Sequence, residues 1–326
     1  MNASLSCARR WLCAPLLACI AAHGGATLGQ DYPSKPVRIV TSEAGGGNDF
    51  AARLIANGLS RNLGQQIIVD NRGGASGMIA GDIVAKAPPD GYTLLLYSGT
   101  IWIVPLLQQV PLNPLKDFSP ITLAVSSPNI LVVHPSLPVK SAKELIALAK
   151  ARPGELNYAS VGTGSGSHLS AELFKSMAGI QVVRIQYKGS APALNDLLGG
   201  RVEFTFGTSG STASHVASGR LRALAVTSAQ PSAVFPGLST VAASGLPGYE
   251  YRNTYSLFAP AGASAALVSF LNQQVLKVLN TAEVKERFFK SGVEVIGSSP
   301  EQLAATMKAE TSSMGKVIRE AGIRAD

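Results

Sequence analysis

Val40-Thr41-Ser42-Glu43-Ala44-Gly45-Gly46-Gly47-Asn48-Asp49 and Tyr158-Ala159-Ser160-Val161-Gly162-Thr163-Gly164-Ser165-Gly166-Ser167-His168 are the stretches whose reading decides the fold. Each leaves an apolar strand, consists largely of glycine and small polar residues, and opens a helix. At such a junction the first helical N–H groups lack a backbone partner, the helix dipole is positive, and glycine lets a ligand approach the main chain closely. Each stretch is therefore a candidate anion cradle. Glycine-rich strand-to-helix turns are common in α/β folds, so one alone says little. Two of them, on separate expected sheets, point to a ligand clamped between domains.

Outward from the first stretch, strand and helix alternate: a strand over 37–41, a helix from Asn48 to about Leu63, a strand over 66–69, a helix from about Ser76 to Lys86, and a strand over 93–97. This alternation predicts an α/β fold with a parallel, doubly wound sheet. Pro88-Pro89-Asp90-Gly91 is a turn by residue type. A long strand follows over 121–124 and 129–134, with Ser126-Ser127-Pro128 read as an interruption where the chain crosses between domains. Ser141-Ala142-Lys143-Glu144 is a capping box that starts a helix, and Arg152-Pro153-Gly154 stops it. Strands over 156–160, 182–186, 202–206 and 224–227, with helices to about Ala178 and around 191–198, predict a second sheet of its own.

Residues 230–252 are rich in Pro, Gly and Ser and carry the chain back to a strand over 255–258. Leu267, Phe270, Leu271, Val275, Val278 and Leu279 fall at helical spacing, and Ser299-Pro300-Glu301-Gln302 caps a last helix. These C-terminal helices are expected to pack on the first sheet. The expected organisation is a first lobe over 30–130, a second over 131–245, and a return over 246–326 that completes the first. Two lobes joined by crossing strands form a hinge-closing binding architecture.

Arg9-Arg10, the apolar run from Trp11 to Ala22 and the small residues after it read as a secretory signal peptide over residues 1–29. The run is too short to span a bilayer. Cleavage is expected after Gly29 or at Ala26, with lipidation at Cys19 as the alternative, and the expected location is periplasmic. Cys7, Cys13 and Cys19 all lie in this segment, so neither a thiol nor a disulfide is expected in the mature chain. With Arg9 and Arg10 removed, the net charge of +8 becomes +6. The basic residues are scattered singly, which argues against nucleic acid as a partner and leaves a modest field favouring anions.

An enzyme needs activated groups. His134 precedes Pro135 at a strand end and reads as structural; His215 sits on a polar helix and is expected to be solvated; His168 opens the helix after the second stretch, ordering the loop or facing a ligand. No carboxylate stands where it would orient a histidine as a base. No His/Asp/Glu cluster has metal-ligand spacing, and no cofactor or metal is expected. Gly162-Thr163-Gly164-Ser165-Gly166 displaces its serine by one position from a nucleophile elbow and lacks the third glycine of a dinucleotide fingerprint. What remains is backbone N–H groups with the hydroxyls of Ser160, Thr163, Ser165 and Ser167, a set that binds a carboxylate and activates nothing. Other contacts are expected at strand ends, from Asn71 and Ala75, from Ser98, and from Tyr187 with Lys188 beside it. Asp49 reads as a first-turn acid favoured by the helix dipole.

Along essentially its whole mature length the chain resembles the Bug-type periplasmic solute receptors of tripartite tricarboxylate transporters. The resemblance rests on Tyr32-Pro33-Ser34-Lys35-Pro36-Val37, Ala44-Gly45-Gly46 with Asp49, Val69-Asp70-Asn71-Arg72, Pro89-Asp90-Gly91-Tyr92-Thr93-Leu94, Leu131-Val132-Val133-His134-Pro135, Tyr187-Lys188-Gly189, Leu221-Arg222-Ala223-Leu224-Ala225-Val226-Thr227 and Phe258-Ala259-Pro260-Ala261-Gly262. Singly weak, these are specific in number and order. The resemblance implies a type II periplasmic-binding fold and a monomer. It also implies a small organic acid held between the lobes, and membrane permease subunits as the partner. The implied contacts are Ala44, Gly45, Gly46, Asn48, Asn71, Ala75, Ser160, Thr163, Ser165 and Tyr187; Glu43, Ser98, His168 and Thr208 complete the expected set. Two departures stand out. Thr41-Ser42-Glu43 replaces the usual Pro-Phe, and Gly207 stands where amino-acid-binding members carry an aspartate, so an α-amino acid is not the expected ligand. A sensory receptor of the same fold and an exported hydrolase using Ser165 are the alternative readings.

Overall fold

The computed structural model describes residues 32–320 together with 322 and 323. The expected signal segment, with its cysteines, lies outside the described residues. The rest of the chain, Pro33–Asp326, is one compact unit. In chain order its elements are β1 (Val37–Thr41), α1 (Gly47–Leu63), β2 (Ile67–Asn71), a 3-10 turn (Ala75–Gly77), α2 (Met78–Ala85), β3 (Thr93–Ser98), α3 (Thr100–Leu107), α4 (Pro114–Asp117) and β4 (Phe118–Val133). There follow α5 (Ala142–Ala151), β5 (Asn157–Ser160), α6 (Gly166–Ala178), β6 (Val183–Gln186), α7 (Ser190–Leu198), β7 (Phe204–Thr208), α8 (Ser209–Ala217) and β8 (Arg222–Val226). The chain closes with β9 (Arg252–Pro260), α9 (Ala265–Leu279), α10 (Ala282–Lys290), β10 (Glu294–Val295) and α11 (Pro300–Glu320).

The strands lie in the order β2-β1-β3-β9-β4-β7-β5-β6, with β8 and β10 also paired to β4. β1 is parallel to β2 and β3, and β5 is parallel to β6 and β7, as the βαβ alternation requires. β9 and β4 run antiparallel to their neighbours, so the sheet is mixed where a purely parallel one was expected. Nor are there two separate sheets: β4 belongs to both halves.

β4 also corrects the expected interruption at Ser126-Ser127-Pro128, because all 16 residues form one strand, buried from Ile121 to Val133. What changes there is the partner. Up to Pro128, paired with Arg252, the neighbour is β9; from Asn129, paired with Thr208, it is β7. Proline lacks an N–H and breaks a ladder in a strand interior, but at the handover between two partners it costs no continuing ladder.

Each half has its own core. In the first, Leu95, Trp102, Phe118 and Phe258 pack with Leu303 and Met307 of α11, so the C-terminal helices cover this half as their periodicity predicts. On the opposite face α1 crosses α9 at Gly58, where a Cβ would stand 2.3 Å from Val278 Cγ1. In the second half Phe174, Phe204, Phe206 and Tyr249 form an aromatic cluster with centroids 5.5 to 6.4 Å apart. Truncating Phe206 to alanine would cost about 3–5 kcal/mol.

The caps form as expected. Ser141 Oγ accepts from Glu144 N at 3.2 Å, and Ser299 exchanges bonds with Gln302, Gln302 N to Ser299 Oγ at 3.2 Å and Ser299 N to Gln302 Oε1 at 2.9 Å. His215 departs from expectation: on α8 its Nδ1 is buried without a hydrogen-bond partner rather than solvated. Among the described residues no helix is long and apolar enough to cross a membrane.

Candidate functional site

The first glycine-rich loop is held from behind and left open in front. Thr41 Oγ1, at the end of β1, donates to Leu96 O at 2.8 Å. Gly46 precedes α1 in an extended conformation and no side chain caps the helix, so the first-turn N–H groups keep their hydrogen-bonding capacity at the positive end of the dipole. The loop is latched by Asp49, 5% exposed, whose carboxylate accepts from Gly45 N at 2.9 Å, Asn71 Nδ2 at 2.8 Å and Arg53 Nε at 2.9 Å. Burial pushes this carboxyl up, but the bonds from Arg53, Gly45 and Asn71, with the Arg53 charge, outweigh it and hold Asp49 below the usual carboxylate range.

Asn71 was expected to touch a ligand. Its amide hydrogens instead go to Ser42 O at 2.7 Å and Asp49 Oδ1, and its oxygen accepts from Arg53 Nη2 at 2.9 Å. Its side chain thus positions the loop. Ala44 and Gly45 are exposed, Gly46 and Asn48 half-buried, and Asn48 Oδ1 is a buried oxygen without a partner. Glu43 is exposed, with its carboxylate over Gly73, where a Cβ would come within 2.9 Å of Oε2. Its charge adds to burial in raising the Tyr97 hydroxyl above its ordinary value. Ser98, at the end of β3, is half-buried and paired in register with Tyr255. The predicted helix from Ser76 begins as a 3-10 turn in which Ala75 and Ser76 hold φ of 45° and 53°. Two successive non-glycine residues in that region store strain of about 1–2 kcal/mol each.

The second loop is braced from within. Val161 N bonds Ser167 Oγ at 3.1 Å, Gly164 N bonds His168 Nδ1 at 3.1 Å, Ser165 N bonds Gly162 O at 3.0 Å, and His168 N bonds Ser165 Oγ at 3.3 Å. His168 is 2% exposed and braces the loop through its Nδ1. The hydroxyls of Ser160 and Thr163 are engaged by Arg184, whose Nε lies 2.8 Å from Ser160 Oγ and Nη2 3.2 Å from Thr163 Oγ1. Sequence reasoning missed Arg184. Its only sequence signal was a lone cation on a short strand three residues before the predicted Tyr187. Tyr187 itself donates its hydroxyl to Asp196 at 2.8 Å, and burial together with this bond and the Asp196 charge pushes it up to about 12. Lys188 is exposed.

The two sides meet. Ser76 Oγ donates to Thr163 O at 2.8 Å, and Gly164, φ 78°, lies so close to α3 that a Cβ would stand 2.9 Å from Val104 Cγ2. Gly166 abuts Asn253, whose amide donates to Asn129 Oδ1 at 2.6 Å, tying the start of α6 to both crossing strands. Beside this junction, on the second half, is a cavity of about 80 Å³ lined by Val161, Ser167, Gly207 and Thr208, with Asn253 of β9. Thr208 is the member of the expected set on that lining. At Gly207 a Cβ would lie 2.4 Å from Thr212 Cγ2, so the aspartate of amino-acid-binding relatives does not fit beside this threonine. Ser165 Oγ caps α6 and lies 3.2 Å from Ser167 Oγ, a helix cap rather than a nucleophile–base pair. Among the described residues no group of His, Cys, Asp or Glu could hold a metal ion.

Two sheet halves sharing one long strand, each with a glycine-rich helix start at a strand end and touching through Ser76 and Thr163, define a two-lobed solute-binding protein. Residues 51–323 match the model of the tripartite tricarboxylate transporter family receptor, and the chain belongs to that family. The protein BugT of Bordetella pertussis is 36% identical over 297 residues, covering 90% of this chain and 91% of BugT. Among solved structures, an R. palustris protein determined with adipate is 38% identical with a TM-score of 0.85, covering 90% of this chain and 99% of that one. The periplasmic binding protein BugD is 33% identical with a TM-score of 0.82, over 90% of this chain and 99% of its own. The type II periplasmic-binding fold implied by the resemblance is the fold of this chain.

Proposed function

We propose that this chain is an extracytoplasmic receptor that closes on a small organic carboxylate between its lobes and presents the closed form to the permease subunits of a tripartite tricarboxylate transporter. The carrying observation is the start of α1, which no side chain caps and whose preceding loop is latched by Asp49 through Gly45 N. The charge of a carboxylate suits the positive helix end, and its oxygens match a row of N–H donors. The adipate in the R. palustris relative supports the same ligand class. In this reading residues 1–29 direct export to the periplasm, and lobe boundaries fall near 130 and 245. The protein acts as a monomer, and it needs no cofactor and catalyses no reaction.

A thermal-shift screen of the protein lacking residues 1–29 tests the ligand class. At about a hundred times its Kd, a ligand adds roughly 2.7 kcal/mol of stability. Dicarboxylates of about four to eight carbons should raise the melting temperature, aspartate should raise it less, and sugars should leave it unchanged. A shift with a sugar and none with any carboxylate would overturn the proposal.

A further inference from the structure

We infer a second binding site, for a small organic ammonium ion, in a cavity on the far side of β9 from the cleft. The cavity holds about 520 Å³, within the range of about 300–1,000 Å³ typical of small-molecule sites. Alternation along β9 separates the two: Asn253 lines the cleft cavity, while its neighbours Arg252 and Thr254 line this one. Ile103, Leu123, Ile296 and Met314 give it apolar walls.

Two oxygens converge in it. Thr254 is 6% exposed and its Oγ1 is buried without a hydrogen-bond partner, an arrangement that native structures seldom tolerate without a use. The Glu310 carboxylate, on α11, receives a bond from Trp102 Nε1 at 3.0 Å. The point where Gly99 would carry a Cβ lies 2.9 Å from Thr254 Oγ1 and 3.3 Å from Glu310 Oε2. The two oxygens therefore flank one point beside Trp102, close enough for a single ammonium head group in the cavity to bridge them, and a side chain at Gly99 would fill the space between them.

The charge balance selects the ligand. Arg252, the cation on the lining, is consumed by Glu294 and by Ser126 Oγ at 2.8 Å. Glu250 and Tyr251 also line the cavity, and burial pushes the Glu310 carboxyl up to about 7 against the Trp102 bond, with the Glu250 charge adding to the rise. A carboxylate ligand would meet like charge here. An ammonium group neutralises Glu310 and donates to Thr254 Oγ1 while its hydrocarbon body covers the apolar walls. A bare metal ion does not suit those walls, nor could any group of described residues hold one. An occupant would bridge α11 to the segment through which the chain re-enters the first half of the sheet.

Calorimetric titration of the protein with hexylammonium and with hexan-1-ol, at about pH 8 where Glu310 is ionised, tests the site. Hexylammonium should bind saturably and about tenfold or more tighter than the alcohol. Glu310→Gln should remove that preference, and Thr254→Val should weaken hexylammonium while raising the unfolding midpoint, since the unpaired hydroxyl is gone. Gly46→Val, in the first cleft loop, should leave hexylammonium unaffected. If Glu310→Gln fails to fold, the wild-type affinity should still fall as the pH drops to about 5.5 and Glu310 takes its proton. No saturable binding, equal binding of the alcohol, pH-independent affinity, or hexylammonium binding retained by Glu310→Gln would each overturn the site.

Discussion

The two glycine-rich loops are alike in composition and different in how they are capped and braced. In the first, the helix start has no side-chain cap, and the buried Asp49 reaches backward to Gly45 and Asn71, so the loop is rigid and its front stays open. In the second, Ser165 caps α6, Ser167 and His168 accept from Val161 N and Gly164 N, and Arg184 donates to the hydroxyl oxygens of Ser160 and Thr163. Composition alone makes both look like anion cradles. They differ in bracing: the first is held by a buried carboxylate, the second by its own serines and histidine with Arg184, and the two halves meet where Ser76 Oγ donates to Thr163 O.

Breaking the latch should have the largest effect. Asp49→Ala leaves Gly45, Asn71 and Arg53 without their acceptor, and we expect a stability loss of about 2–3 kcal/mol in urea unfolding and roughly hundredfold weaker carboxylate binding. Because Asp49 is held below its ordinary value of 3.8, its contribution is fully present above that pH and lost as the pH falls through the lowered value. The gap between wild type and Asp49→Asn should therefore close in strong acid; a pH-independent gap would mean that the charge is not what latches the loop.

Arg184→Met addresses the other loop. It frees Ser160 Oγ and Thr163 Oγ1, so amide exchange should quicken across 160–168 while Gly45 keeps its protection, and affinity should fall about tenfold. Equal loss of protection in both loops would show that they are one cooperative unit and undo the contrast. Ser76→Ala removes the bond that joins them. At about 1 kcal/mol it should weaken ligand binding roughly fivefold without altering the exchange of either loop.

Much of this was written in local patterns. The capping boxes at Ser141 and Ser299, the periodicity of α9 and the βαβ alternation are each set by residues within a turn or two of one another, and they form as read. Long-range facts were not legible. Ser126-Ser127-Pro128 reads as a break because proline cannot continue a ladder, but the strand runs on where β9 hands over to β7, and that partner lies far away in sequence. α3 (Thr100–Leu107) gave no helical signal because every residue after Thr100 is apolar and Pro105 lies among them. At the site, residue types located both loops. How a loop's hydroxyls are engaged depends on side chains brought from other elements, Arg184 above all, and a lone arginine on a short strand carries no pattern.

Calorimetric titration of Gly46→Val with adipate, beside the wild type, tests the account most directly. A Cβ at Gly46 meets nothing closer than 3.9 Å and the residue's φ is −89°, so the variant should fold with an unchanged unfolding midpoint. Its valine should stand between the α1 N–H groups and the ligand. The account predicts saturable adipate binding by the wild type and at least about a hundredfold loss in the variant; equal affinity in the two proteins would contradict it.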